Sequence, residues 1–483
     1  MLRAILYILI AVLAGYLISL FPWGAITLLG STALCLFFIK NEQSFLYFVI
    51  FFLPFSFALN PSPDIDLAAN RVLIVLLFAV WLANSLARKK LNIAYNAITV
   101  LLAVFLDIAA FSVLAAEEAS WAARKILFFA TIFPLYIVAS DLGRNWNNIK
   151  KAVLMMISSA FLVSLIGLGQ FFSQFILGIK PVFSFLTGYI SPYFYGANFG
   201  KLVVENPSWL VNIGGATYLR ALSLFPDPHM FAFYLGLVLP LVFSLLIFSF
   251  NSREAKEGIF NKRGLLLAVF GVLLLTLGLT FSRSGYIGAV SALIAVIVFS
   301  WRQLSRFSKF IILASIAAFL IMVIATDNPV SSRFFSIADF TEGSNAGRIK
   351  IWQEALAIID SHWLTGVGLG NYSLEINPLA DYRNSIYAHN TYLDIAAEMG
   401  IFASFTWLLL LTMSVWQSIN NLTNIRENVL KNALSIGLAG SVISFMVSSL
   451  ADTALYSPAV LGMLMVVLGL VSGITEKNLI IKE

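Results

Sequence analysis

Three sequence-distant residues of this 483-residue chain could do chemistry together: two arginines and a histidine. Arg220 and Arg283 lie in Arg220-Ala-Leu-Ser-Leu-Phe-Pro-Asp-Pro-His-Met-Phe-Ala232 and Thr280-Phe-Ser-Arg-Ser-Gly285, and His389 in Tyr387-Ala-His-Asn-Thr-Tyr-Leu393. A guanidinium is a planar fork that makes paired, charge-assisted hydrogen bonds to phosphate, so two of them match a diphosphate. A neutral imidazole beside them can take a proton from an attacking hydroxyl. The chemistry suggested is displacement at a carbon that carries a diphosphate leaving group.

Each residue also has a plainer explanation. An arginine at a membrane boundary can snorkel to lipid headgroups, and this applies most easily to Arg220. Arg283 is harder to dismiss, because serines flank it in a tight turn with no other polar load. His229 and His362 are assigned to capping or packing. Asp394 and Glu398 stand four residues apart, hence on one helical face, where they could pair with nearby basic residues. Asp107 lies inside a span, which makes it either a functional candidate or a group bonding between helices. Asp64 and Asp66 spell an aspartate pair of the sort that holds a divalent metal in some membrane glycosyltransferases, but no other candidate ligand accompanies them, and no metal is assigned. Gly366, Gly368 and Gly370 form a glycine-rich turn, read as flexible. No strand precedes it and no Lys-Ser/Thr follows, so it lacks the context of a phosphate cradle.

The elements that must position these residues are membrane spans. Hydrophobic residues make up 60% of the chain and charged residues 11%, with mean hydropathy +0.90. A soluble domain carries about 25% charged residues, so this chain has too little polar material to cover a surface in water, and too much apolar material for disorder. Apolar windows long enough to cross a bilayer fall near 4–20, 24–39, 44–59, 71–87, 97–115, 124–140, 152–177, 228–250, 264–281, 285–301, 307–326, 391–418, 432–450 and 456–474. The fold class is therefore an all-α polytopic membrane protein of about 12–14 transmembrane helices, with residues 1–483 as a single integral membrane domain. The apolar N-terminus reads as the first span and not as a cleaved leader. Cys35 is the one cysteine, which excludes an internal disulfide. There is no low-complexity segment and no internal repeat.

Alternating loops and the two termini gather 19 of the 30 basic residues, among them Arg88, Arg144, Arg263, Arg302 and Lys431. By the positive-inside rule those loops and both termini are cytoplasmic. The net charge of +6 then reflects topology, with no nucleic-acid partner. The short opposite loops hold Arg71, Arg124, Lys125 and Arg283. Two long segments, 178–227 and 327–390, also fall on the outer face. The second contains Ile351, Trp352, Ala355, Leu356, Ile358 and Ile359 at helical spacing, which predicts an amphipathic helix along the outer membrane face.

At these residues the sequence resembles the O-antigen ligase and Wzy-type O-antigen polymerase family. The resemblance rests on Arg220 to Ala232, on Thr280-Phe-Ser-Arg-Ser-Gly-Tyr-Ile-Gly288, and on an ordered set of short motifs. These are Gly347-Arg-Ile-Lys-Ile-Trp352, His362-Trp-Leu-Thr-Gly-Val-Gly-Leu-Gly370, Ala388-His-Asn-Thr-Tyr-Leu393 and Glu398-Met-Gly-Ile401. His229 departs from an expected asparagine, and Trp363 from an expected proline.

The resemblance implies a GT-C-like helical fold and an inverting glycosyl transfer that needs no metal or cofactor. The donor would be a glycan on undecaprenyl diphosphate, and the acceptor a hydroxyl of a lipid core or another glycan. The setting would be the outer face of the bacterial cytoplasmic membrane, in polysaccharide or lipopolysaccharide biosynthesis. Arg220 and Arg283 would neutralise the diphosphate and His389 would activate the acceptor. Arg348 would contact donor or acceptor, Trp352 would offer a sugar-stacking surface, and Arg124 and Lys125 would add positive charge. Motifs common to ligases and polymerases do not separate the two activities. A transporter or flippase is the rival from another class; it would normally carry midplane charges, interrupted helices and repeat symmetry.

Overall fold

The computed structural model describes residues 30, 33, 36–62, 65–205, 207–213, 215–250, 262–304, 306, 309, 343–383, 385–420, 422 and 429–480. The expected spans near 4–20 and 307–326, most of that near 24–39, and Asp64 lie outside these residues. The remaining eleven expected spans all fall on helices. Among the described residues nine helices are long and apolar enough to cross a membrane, and two shorter apolar helices, Glu42–Phe55 and Arg263–Leu279, accompany them. The chain is an all-α polytopic membrane protein, with two short antiparallel hairpins among the described residues, 58–62 with 65–68 and 210–213 with 216–219.

Pro228–Ser249 is the central helix, buried along nearly its whole length. It is apolar on every side, which a helix can be only when other helices surround it. Val429–Ser448 and Arg283–Ser300 pack directly on it and on each other. With no hydrophobic drive between helices in lipid, small residues and hydroxyls hold such bundles together. A Cβ on Gly440 would sit 2.7 Å from that of Pro240, and one on Gly437 would sit 2.9 Å from the Leu241 Cα. Ser441 donates to the Leu237 carbonyl and Ser244 to the Ala433 carbonyl, each at 2.6 Å. Near one end of the bundle a Cβ on Gly285 would stand 2.6 Å from the Ala232 Cβ, and one on Gly288 would meet Ser448 and the Ser444 carbonyl. Gly288→Val should therefore lower the melting temperature of the detergent-solubilised protein, at an overpacking cost of about 1–3 kcal/mol.

Several expected spans are interrupted, each for a visible reason. The 391–418 span is two helices, Thr391–Met399 and Ile401–Asn420. Gly400 separates them at φ +84°, and its left-handed backbone lets the Ile401 amide reach the Trp363 carbonyl at 2.9 Å. The 124–140 span begins earlier and breaks into Ala119–Ile132 and Pro134–Leu142; proline cannot donate the helical hydrogen bond needed there. The 152–177 span starts at Trp146, capped by Asn145, and runs 32 residues.

The described parts of the long segments are folded. The first carries the helices Ile179–Phe185, Ser191–Tyr195 and Ala197–Glu205 before its hairpin. The second, described from 343 onwards, forms the helix Gly343–Ser361. Its apolar stripe packs on protein: Ala355 and Ile358 are buried with Val367, Tyr372, Ala388 and Ala397, while Leu356 is exposed. The glycine turn read as flexible is instead tightly packed. Gly366, Gly368 and Gly370 all have positive φ, and a Cβ on Gly366 would come 2.5 Å from the Met399 amide nitrogen.

Candidate active site

The candidate site is built where several helix ends meet at one end of the bundle. Asp227 caps Pro228–Ser249, accepting from the His229 amide at 2.5 Å. Ser282 caps Arg283–Ser300, accepting from the Gly285 amide at 3.3 Å. Asn390 caps Thr391–Met399, accepting from Tyr392 at 3.0 Å and Leu393 at 3.2 Å. The cap residues turn the chain sharply, so Arg220, His229, Arg283 and His389 enter from different directions.

Arg220 is buried, its guanidinium anchored by the Thr280 carbonyl at 2.7 Å and the Ser208 carbonyl at 2.9 Å. Its two terminal nitrogens lie 3.4 and 3.5 Å from His229 Nε2. His229 Nδ1 is 3.0 Å from Ser282 Oγ and 3.1 Å from Asp452 Oδ2. The other carboxylate oxygen of Asp452 lies 3.3 Å from His389 Nδ1, and Arg348 stands 3.8 Å from Asp452 Oδ2. Arg283, beside Ser282, is buried at the start of its helix. The structure thus brings Arg220, Arg283, Arg348 and His389 to one end, with Asp452 linking His389, His229 and Arg348.

One tautomer satisfies this network. His389 presents Nδ1 to Asp452 and His229 presents Nδ1 to Ser282 Oγ with Asp452 Oδ2 close by, so each carries its proton there and donates. His229 Nε2 is then an acceptor facing Arg220. His389 Nε2 is likewise an unprotonated acceptor, on a side chain 47% exposed, and can receive a proton. Burial pushes the Asp452 carboxyl up, but the nearness of His229, the hydrogen bond to His389 and Arg348 outweigh it and hold the group below the usual carboxylate range. The hydrogen bond to Asp452 raises His389 above the ordinary histidine value, against the opposing effect of its own burial.

His389 sits at φ +51°, a left-handed conformation that costs a non-glycine residue about 1–3 kcal/mol and persists only where neighbours impose it. They do so on both sides. The Ala388 amide donates to Asp394 Oδ1 at 2.6 Å, and the Trp352 indole donates to the Ala388 carbonyl at 3.0 Å. The Thr391 amide donates to the Ser449 carbonyl at 2.9 Å, and the Asn390 side chain to the Leu450 carbonyl at 3.0 Å. Trp352 therefore fixes the loop that carries His389.

Other sequence candidates fall elsewhere. Lys125 is buried, paired with Glu398 at 2.7 Å, and lies 3.8 Å from the Tyr456 ring centroid. Arg124 stacks on Tyr382 at 4.5 Å. Neither joins the Asp452 cluster. Asp66 receives amides of Asn198 and Phe199 at 3.2 and 2.9 Å and so caps a helix start. Asp107 is exposed on its helix. His362 is exposed beside Ser361. No group of three or more His, Cys, Asp or Glu fit to hold a metal occurs among the described residues.

Sequence reasoning missed Asp452 and set His229 aside. A signal for Asp452 existed: it is the single acid between Asn428 and Thr475, and arginines at a membrane boundary need an anionic partner.

Residues 266–408 match the family model described as O-antigen ligase. The chain is O-antigen ligase-like over the segment that holds Arg283, Arg348, Trp352 and His389. Arg220, His229 and Asp452 come from outside that segment. No curated protein matches the chain. The match supports a membrane glycosyltransferase-type enzyme with a ligase or polymerase role in O-antigen assembly, acting on a lipid-linked glycan and an acceptor.

Proposed function

We propose that this end of the bundle is the active site of an O-antigen ligase-like transferase, facing the outside of the cytoplasmic membrane. The donor is a glycan on undecaprenyl diphosphate and the acceptor a hydroxyl of a lipid core. The observation that carries the reading is Asp452, whose carboxylate engages His389 on one oxygen and His229 and Arg348 on the other, with Arg220 behind His229. A base held by a carboxylate beside several guanidinium groups is what displacement of a diphosphate from an anomeric carbon requires.

In the reaction, the acceptor hydroxyl gives its proton to His389 Nε2 as its oxygen bonds to the anomeric carbon. The carbon–oxygen bond to the diphosphate breaks, and the diphosphate leaves with the electron pair. Attack opposite the leaving group inverts the anomeric centre. Arg220 and Arg283 stabilise the leaving charge, each donor of this kind contributing about 3–4 kcal/mol. Arg348 contacts donor or acceptor, and Asp452 keeps the proton of His389 on Nδ1.

The test is deletion followed by analysis of lipid-linked glycans. Accumulation of long polymer on the carrier is the expected result. Accumulation of single repeats would make the enzyme a polymerase instead, and an unchanged pool would overturn both. Complementation with Arg283→Ala should leave the deletion phenotype in place, with the variant present in the membrane in normal amount.

A further inference from the structure

Four basic residues stand in the short loops or span ends on the side assigned to the outside: Arg71, Arg124, Lys125 and Arg283. Arg283 belongs to the site, and Lys125 is neutralised by Glu398 at 2.7 Å. Arg71 and Arg124 make no ion pair among the described residues. They converge on one face of Ala119–Ile132. Arg71 donates to Thr131 Oγ1 at 2.9 Å and to the Leu127 carbonyl at 3.4 Å. Leu127 and Thr131 follow Arg124 by three and seven residues, which places all three on the same helical face. Arg124 lies over the Tyr382 ring at 4.5 Å, Arg71 lies over the Phe128 ring of the same helix at 5.1 Å, and Trp121 meets the Tyr382 ring edge-on at 5.9 Å.

We propose that Arg71, Arg124, Tyr382 and Trp121 form a second binding site, apart from the Asp452 cluster, for an anionic sugar of the acceptor. Two guanidinium groups without counter-ions call for an anion, and guanidinium forks suit phosphate and carboxylate. The two aromatic rings suit the apolar face of a sugar ring, which a lipid phosphate lacks. Continuity with the reaction centre comes from the chain. Tyr382 precedes His389 by seven residues, a reach of at most about 25 Å. Lys125, adjacent to Arg124, lies 5.7 Å from the ring of Tyr387, two residues before His389. An acceptor glycan held at Tyr382 can extend a hydroxyl towards the imidazole. Calling the sugar an acceptor rests on the transferase reading; the site itself does not.

The test uses the full-length protein in phosphatidylcholine nanodiscs. Glucose 1-phosphate is titrated by calorimetry, with glucose as the uncharged control. Glucose 1-phosphate should bind and glucose should not. Arg124→Gln and Arg71→Gln should each weaken binding at least tenfold, with Arg124→Lys intermediate. Arg124 is exposed, so its variants decide the matter if Arg71→Gln fails to fold. His389→Ala should bind glucose 1-phosphate normally, so failure of the transferase reading is read separately from failure of this site. Absence of binding, or binding indifferent to Arg124, overturns the proposal. So does retention of phosphatidylglycerol by the wild type and its loss in Arg124→Gln without any sugar-phosphate binding, which would make the site a lipid anchor.

Discussion

His389→Ala is expected to reduce glycan transfer by about 10²–10⁴-fold, the range that a positioned general base contributes. The loss should appear in kcat/KM of the purified protein with lipid-linked donor, while membrane insertion and melting temperature stay near those of the wild type. The side chain is 47% exposed, so its removal opens no cavity. A companion variant separates chemistry from fold. His389 holds φ +51°, a conformation glycine adopts without strain. His389→Gly should therefore lose transfer as fully as the alanine variant and melt no lower than it. Normal transfer by either variant would falsify the assignment of His389 as base.

Asp452→Asn is expected to cut transfer by up to about 10⁴-fold, the size of loss seen when the orienting aspartate of a hydrolase triad becomes an amide. Asparagine can donate to an imidazole nitrogen where aspartate can only accept, so it favours the wrong tautomer of His389. The pH profile gives the sharper test. Asp452 raises His389 above its ordinary value, and the base must be neutral to act. Wild-type activity should rise with pH through that elevated value. In Asp452→Asn the residual activity should rise at lower pH, because the carboxylate that favoured the imidazolium is gone. An unshifted acid limb would mean that the carboxylate does not act through His389.

Stability should follow the same linkage. Pairing of Asp452 with the His389 imidazolium is fully present below the unfolded histidine value near 6.5 and is lost as pH rises through the raised folded value. The depressed carboxyl of Asp452 contributes above its unfolded value near 3.8 and is lost as pH falls through its lowered folded value. The two contributions coexist between roughly pH 4 and 6.5.

The residues differ in how legible they were. Arg220, Arg283 and His389 stand out in sequence because a charged or titratable group is conspicuous in an apolar chain and costly to place there. Asp452 is equally conspicuous but follows no motif, and its role depends on Val429–Ser448 ending beside Asn390 and Ser449 receiving the Thr391 amide at 2.9 Å. His229 read as a capping or packing group, but the cap is Asp227, to which the His229 amide donates, and the His229 ring faces Asp452 and Arg220. Trp352 read as a sugar-stacking surface, and its indole nitrogen serves the Ala388 carbonyl. Lys125 looked like spare positive charge, and only the approach of Thr391–Met399 to Ala119–Ile132 supplies Glu398 as its partner.

By itself the sequence determined the membrane class and the apolar stretches that form the described helices, and it singled out three segments with charged or titratable side chains. Those follow from local quantities: apolar length sets a span, and a charge within or beside one is expensive wherever the helices go. Tertiary structure decided which charges meet. The close approach at Gly285, Gly288, Gly437 and Gly440, the break at Gly400 and the turn at Pro134 set how the helix ends converge. That convergence places Asp452 against two histidines and an arginine, gives Lys125 to Glu398, and sets Arg71 on the helix that carries Arg124. Pairing energy depends on distances of 3–4 Å, and such distances between remote segments are fixed only when the bundle packs.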